Sequence, residues 1–156
     1  MKKIILKSLT LINFRGEQNR TTEFDEKETF ICGANGLGKS RHFDAFMWLL
    51  FGKDVNDRKD YEIKTRVNGV PLQHVNCEVS GTILVDGETV KLRRAYVEDW
   101  VKPRGQMEQV FKGHHTETSV NDVPMNVTEY KKRINAIVDD GLFKMITNPL
   151  FFASMP

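Results

Sequence analysis

Eight residues constrain this chain more than any others: Gly33-Ala34-Asn35-Gly36-Leu37-Gly38-Lys39-Ser40, a match to G-x-x-x-x-G-K-[ST], the phosphate-binding P-loop pattern. Each fixed position has a physical task. Glycines at 33, 36 and 38 let the backbone curl with successive N–H groups turned inward on an anion and no side chain in the way. A helix opening near Lys39 aims its positive end and its unpaired N–H groups at the same point. Lys39 sets a cation against terminal phosphates, and the Ser40 hydroxyl can join the shell of a bridging Mg²⁺. The motif has force only between a strand and a helix, and both are legible. Glu28 to Cys32 (ETFIC) is a short apolar run ending at Gly33, which predicts the strand. Phe43, Phe46, Met47, Leu50 and Phe51 recur at helical spacing and line one face, with Gly52 placed to end the helix in a left-handed conformation. A nucleotide site is the expectation.

The rest of the chain sorts into strands and a second helix. Leu9 and Leu11 alternate with Ile12 and Phe14, predicting a strand with these pairs on opposite faces, ended by Gly16. Glu17 to Thr22 reads as a polar turn, and residues 53–72 as a loop around an Asn68-Gly69 turn. Val75, Cys77 and Val79 begin a strand that Ile83 to Val85 extend. Asp86-Gly87 is a two-residue hairpin signal, and Val90, Leu92 and Tyr96 form the return strand, fading between Trp100 and Gly105. A further strand pair over 106–125 turns at Asn121-Asp122. The second helix is predicted over Val127–Val138: Asn126 and Glu129 fit a capping box, Val127, Tyr130, Ile134 and Val138 make the stripe, and Gly141 stops it. This is a mixed α/β (α+β) fold in one domain over residues 1–156.

Composition closes off other classes. With 156 residues, 40% of them hydrophobic and 28% charged, the chain can bury a core and is neither disordered nor fibrous. A net charge of +2 does not by itself call for nucleic acid. No apolar run approaches the roughly 18 residues of a membrane span, and Lys7, Asn13 and Arg15 interrupt the start before a signal-peptide core can form. Cys32 and Cys77 lie far apart and predict reduced thiols in the cytoplasm, Cys32 as a buried core thiol just ahead of the loop.

Beyond the loop itself, Asn13-Phe14-Arg15-Gly16, the Asn-Gly-x-Gly-Lys-Ser form of the P-loop, Phe43-Asp44-Ala45-Phe46 and Leu50-Phe51-Gly52 resemble the N-terminal part of SMC-type ABC ATPases. These are the SbcC-, RecF- and RecN-like proteins of DNA repair and chromosome maintenance, within the P-loop NTPase superfamily. Leu92-Arg93-Arg94 and Ile146-Thr147-Asn148-Pro149 fall where that family has comparable segments. The resemblance implies an ABC-type half-head: three strands ahead of the P-loop, the central helix, then antiparallel hairpins and a second helix. It implies a head assembled from two distant pieces of one chain joined by a coiled coil, the C-terminal piece bringing the signature motif and the Walker B carboxylates. ATP is then sandwiched between two heads. On this resemblance Gly33, Asn35, Gly36, Gly38, Lys39, Ser40 and the Arg41 amide hold the phosphates of ATP, Ser40 also serves Mg²⁺, and Arg15 lies beside the nucleotide. Asn148 falls near the Q-loop glutamine that helps place Mg²⁺ and the attacking water, and is one methylene shorter. Arg41-His42 departs from the small or β-branched residues usual after the loop, bringing a bulky cation near the α-phosphate. Implied partners are a C-terminal lobe of the same or another chain, a head-to-head dimer partner, and DNA with a nuclease, but no membrane.

What the sequence lacks matters equally. Val79-Ser80-Gly81 and Ile83-Leu84-Val85-Asp86 could pass for signature and Walker B, but they are nearly contiguous where the family separates them by a helix, and Asp86 reads as a hairpin tip. Without a carboxylate to orient water, the chain should bind ATP and hydrolyse it poorly. Pro149 to Pro156 ends on aromatic residues, predicting an N-terminal fragment cut before a coiled coil or a small protein that copies one. Two alternatives stand: a self-contained small P-loop kinase or NTPase, with Asp86 its only acidic candidate at a strand end, and a non-catalytic mimic that binds a host SMC-type ATPase. Other residues carry blander readings. His74 and Cys77 would face opposite ways on a strand, and with His114-His115 they do not complete a metal set. Lys131-Lys132-Arg133 reads as a solvated face. Lys91 and Arg93 share a strand face that could track a phosphate backbone, with Arg94 turned to the core. Trp48 and Trp100 have no aromatic partners at base-stacking spacing.

Overall fold

Half-buried alternating runs need neighbours on both edges, and here they come from opposite sides in sequence. The computed structural model describes residues 2–34, 36, 38–59 and 61–147, without the side chains of 145 and 146. Six strands form one antiparallel sheet: β1 (Ile4–Phe14), β2 (Glu17–Glu23), β5 (Cys77–Val85), β6 (Glu88–Val101), β7 (Val110–Val120) and β8 (Val123–Met125). Their order is β2-β1-β5-β6-β7-β8, while β3 (Arg66–Val67) and β4 (Val70–Pro71) make a separate small hairpin. Three helices complete the mixed α/β fold: α1 (Lys39–Phe51), α2 (Val127–Ile137) and α3 (Asp140–Thr147). The predicted turns hold. Asn68-Gly69, Asp86-Gly87 and Asn121-Asp122 all have positive φ at both central residues, the geometry that matches the twist of the flanking strands.

The core lies on one face of the sheet. Leu9, Leu11, Val79, Ile83, Leu92 and Val120 pack against Ala45, Met47, Trp48, Leu49 and Leu50 of α1 and against Tyr130 and Ile134 of α2. Helix α1 approaches closely over Gly81, where a Cβ would stand 3.0 Å from Leu49 Cδ2. Its C-terminal end is finished internally. Gly52 takes the left-handed cap and donates its N–H to Trp48 O, while Tyr130 Oη and Arg94 Nε donate to Leu49 O at 3.0 and 3.3 Å. Arg94 is thus the buried core-side contact predicted, set between the Trp48 and Tyr130 rings. Asn126 caps α2 by accepting the Glu129 N–H at 2.9 Å, again as predicted.

Several expectations are corrected. Phe14 does not face away from Leu9 and Leu11: all three are fully buried, because the positive φ of Asn13 breaks the alternation and turns Phe14 inward. Glu17–Thr22 is not a turn but most of β2, an edge strand whose polar side chains suit a strand solvated on one edge. Glu28–Cys32 is not a strand. No strand pairs with it among the described residues, so its backbone has no ladder, Phe30 stands 81% exposed and Cys32 is an exposed thiol rather than a core one. Helix α2 stops at Ile137, and Gly141 lies inside α3, because Asp139 accepts the Leu142 N–H and starts a new helix. Phe143 of α3 rests on Phe46 and Phe51, with ring centroids 5.8 and 5.5 Å away. Asn148 and the segment 149–156 lie outside the described residues, as do Asn35 and Leu37. Among the described residues no helix is long and apolar enough to cross a membrane.

Candidate phosphate-binding site

At the other end of α1 the chain leaves its backbone groups open. Gly36 and Gly38 have φ of 86° and 84°, and Gly38 is the N-cap residue, with no side-chain cap and no acidic residue in the first helical turn. The Arg41 N–H turns back to Gly38 O at 3.0 Å, while the N–H groups of Lys39 and Ser40, with no side-chain cap ahead of them, gather where the helix dipole is positive. Among the described residues nothing lies within 4 Å of where a Gly36 Cβ would sit, which leaves room for an anion at the backbone there. Lys39 Nζ folds across the loop and donates to Gly33 O at 2.5 Å, and Ser40 is exposed. Gly36, Gly38, Lys39 and Ser40 thus sit together at the start of α1, with Lys39 reaching back to Gly33.

The bulky cation at 41 takes a path the sequence did not reveal. Its guanidinium lies over two glycines: a Cβ on Gly38 would be 2.9 Å from Arg41 Nη1, and one on Gly16 would be 3.5 Å from Nη2. Glu17 accepts from Nη1 at 3.2 Å. Arg41 therefore straps the start of α1 to the β1–β2 turn instead of entering the phosphate cradle. The same turn delivers Arg15. It pairs through Nη1 with Asp44, one turn further along α1, donates its N–H to Ile63 O at 2.9 Å, and sits 5.8 Å over the Tyr61 ring. Burial raises the Asp44 carboxyl and the Arg15 charge only partly offsets it, while burial and then Asp44 push the Tyr61 hydroxyl up. Arg15, Gly16 and Arg41 border, with Glu62, Lys64 and Arg66, a pocket of about 300 Å³ beside the loop. Glu17, Asp44, Glu62, Lys64 and Arg66 were not singled out from sequence. Asp44 left a signal, a carboxylate inside an apolar helical stretch that needs a cation; the others sit in segments read as turn or loop.

Over residues 8–148 the chain matches the AAA domain family. It belongs to that family. The AAA domain chain is 40% identical over 58 residues to a DNA replication and repair protein RecF of Clostridioides difficile (strain 630), covering 37% of this chain and 16% of that protein. It is 26% identical over 121 residues to a DNA double-strand break repair Rad50 ATPase of Archaeoglobus fulgidus, covering 70% of this chain and 14% of that protein. The chain thus spans a small part of the length of these relatives. Among solved structures it matches RecF bound to ATP, at TM-score 0.58 and 22% identity, over 83% of this chain and 31% of that one. A chain from work on ATP-driven dimerization and DNA-stimulated activation of SMC ATPases matches at TM-score 0.62 and 20% identity, over 96% and 95%. A Pyrococcus yayanosii Smc head domain with coiled coil and joint matches at 0.61 and 19%, over 87% and 26%. The fold of this AAA domain is that of the N-terminal lobe of an SMC-type ABC ATPase head.

The remaining candidates of the AAA domain fall elsewhere. Asp86 occupies the β5–β6 turn, where its Oδ1 accepts the Lys3 N–H at 2.8 Å, so it is the hairpin tip predicted. Lys131, Lys132 and Arg133 are exposed on α2. Arg93 is paired with Glu78 and Glu117, and Lys91 with Asp122, so that strand face carries neutralised cations. His74 lies ahead of β5 with φ of 56° and stacks on Trp100 at 4.0 Å, and burial pushes the Cys77 thiol up to about 11. The sheet also gives Trp100 ring neighbours that spacing along the sequence hides. Phe111 lies 5.4 Å from it and 4.9 Å from His114, which stacks on Tyr96 at 4.3 Å. Trp48 packs on Phe14 at 5.5 Å.

Proposed function

We propose that this chain is the ATP–Mg²⁺-binding N-terminal lobe of an SMC-type ATPase of DNA repair or chromosome maintenance, working in the cytoplasm as one domain over residues 1–156. The observation that carries this reading is the uncapped start of α1 behind two left-handed glycines, with Lys39 and Ser40 on its first turn and Arg15 and Arg41 gathered beside it. In this reading Gly33, Asn35, Gly36, Gly38 and the Arg41 amide cradle the phosphates, the Arg41 N–H leaving Gly38 O and Lys39 leaving Gly33 O to meet them. The Ser40 hydroxyl holds the Mg²⁺, whose charge offsets that of the β- and γ-phosphates. The nucleoside extends toward Arg15, and Asn148 takes the water-placing position.

Hydrolysis is assigned to the completed head. The place of Asp86 in a hairpin turn, accepting the Lys3 N–H, supports this over a self-contained kinase or NTPase, for which it is the acidic candidate at a strand end. The exposed Phe30 and Ile31, on a segment with no strand partner among the described residues, suit a C-terminal lobe that would pair with it and bring signature and Walker B residues. A head-to-head partner and DNA are supported by the ATP-driven dimerization and DNA-stimulated activation of the SMC ATPases this chain is similar to, and a nuclease partner rests on the sequence resemblance alone. Calorimetric titration of ATP with Mg²⁺ into the chain, beside Lys39→Ala, tests the reading. Micromolar binding that falls roughly 10- to 100-fold in the variant is expected, the worth of a charge-assisted contact. No binding to the folded chain, or equal affinity in the variant, would overturn it, and sustained turnover by the chain alone would favour the self-contained NTPase.

A further inference from the structure

Glu98, on the core face of β6, lies outside the pocket beside the loop, yet its contacts converge on the wall of that pocket. Its carboxylate is almost wholly buried and accepts from three donors: Lys64 Nζ, the His74 N–H at 2.7 Å and Trp100 Nε1 at 2.6 Å. Its own N–H donates to Asn76 Oδ1 at 3.1 Å. One side chain and its backbone thus pin the 61–76 segment at residues 64, 74 and 76. That segment in turn grips the β1–β2 turn. Lys64 bridges Phe14, Ile63 O accepts the Arg15 N–H, and Thr65 Oγ1 accepts the Gly16 N–H at 2.9 Å while donating to Asn13 O at 3.3 Å. Arg15 and Gly16 are the residues that meet Asp44 and Arg41 of α1. A continuous line of contacts runs from Glu98 through Lys64 to the turn and on to the first turns of the P-loop helix.

We propose that Glu98 is a positioning residue for the nucleotide site, acting through Lys64 to hold the Arg15–Gly16 turn and so the nucleoside end of that site. This rests on the nucleotide reading given above. The pairing also fits the electrostatics of the pocket, where Lys64 is held by Glu98 as Arg15, Arg41 and Arg66 are held by Asp44, Glu17 and Glu62. A carboxylate that only stabilised the fold would affect every ligand of the loop alike. One that sets the nucleoside wall would spare the phosphate cradle, because its line of contacts meets α1 through the side chains of Arg41 and Asp44 and none of its own hydrogen bonds among the described residues reaches 33–40.

The test compares ATP with inorganic tripolyphosphate, each with Mg²⁺, on the full chain and on Glu98→Gln. The variant is expected to weaken ATP roughly tenfold and to leave tripolyphosphate unchanged. Equal weakening of both ligands, or of neither, overturns the assignment. Amide exchange gives a readout that needs no nucleotide: the Arg15 and Gly16 N–H groups, which bond to Ile63 and Thr65, should exchange faster in Glu98→Gln, and unchanged exchange overturns the clamp. If the wild-type chain binds neither ligand, the nucleotide reading fails and the positioning role with it, while the exchange result still decides the clamp. Should Glu98→Gln fail to fold, the Glu98→Gln/Lys64→Met pair leaves no lone buried charge and carries the same comparison, ATP-selective loss supporting the role and its absence overturning it.

Discussion

The two ends of α1 obey opposite rules. At its C-terminal end three devices finish the helix: a left-handed glycine, buried Leu49, Leu50 and Phe51, and two side chains donating to Leu49 O. At its N-terminal end the cap is a bare glycine, the preceding segment stands in solvent, and the ammonium of Lys39 turns back onto the loop. The difference teaches that one helix can serve as both keel and site. Stability is concentrated where the sheet grips it, so the other end can keep its backbone groups unspent for a ligand.

The largest effect should separate the two ends directly. Leu50→Ala, at a site 2% exposed, is expected to cost about 2–5 kcal/mol in denaturant unfolding, whereas Phe30→Ala should stay within about 0.5 kcal/mol. A comparable loss at Phe30 would show that the approach to the loop is packed and would break the comparison. A smaller effect appears in acid. Burial alone would raise the Glu98 carboxyl, but Lys64, Trp100 and His74 outweigh it and hold it below its ordinary 4.5. A carboxyl depressed by folding contributes stability that is present above the unfolded value and is lost as pH falls through the folded one. Stability should therefore decline below about pH 4.5, and Glu98→Gln should flatten that decline; an identical acid limb in the variant would remove Glu98 from the account. Asp44 works with the opposite sign, since its raised carboxyl favours the folded chain as pH falls. The smallest effect is chemical and leaves stability untouched. Cys32 should react with a disulfide reagent as an open thiol, while Cys77, 1% exposed, should react only on unfolding. Two fast thiols would mean that the sheet opens as readily as the loop.

Features carried by a few adjacent residues were legible in the sequence. The left-handed glycines 36 and 38, the three two-residue turns, the Gly52 and Asn126 caps and the inward Arg94 all rest on local backbone chemistry or on strand alternation, and the structure shows each. Features set by a distant neighbour were not. Glu17–Glu23 has a loop's composition and becomes a strand because β1 lies beside it, whereas Glu28–Cys32 has a strand's composition and stays unpaired because nothing described lies beside it. The ring partners of Trp100 come from β7 and from the segment before β5. The path of Arg41 depends on bare glycines at 16 and 38, and no pattern along the chain shows that these two positions face each other. The loop itself was thus readable, and the pocket wall beside it was not.

The strand order carries a consequence for the newborn chain. β1 meets β2 at once, but its other neighbour comes much later: Leu11 lies opposite Val79, sixty-eight positions on. Between them emerges α1, with the apolar side chains that the finished sheet will cover. During synthesis the helix and its loop therefore leave the ribosome after β1 but before β5 and β6, which complete their floor, and the closing contact waits on a long excursion of chain. For that stretch of translation the Trp48–Phe51 surface, buried in the finished fold, has only β1 to cover it.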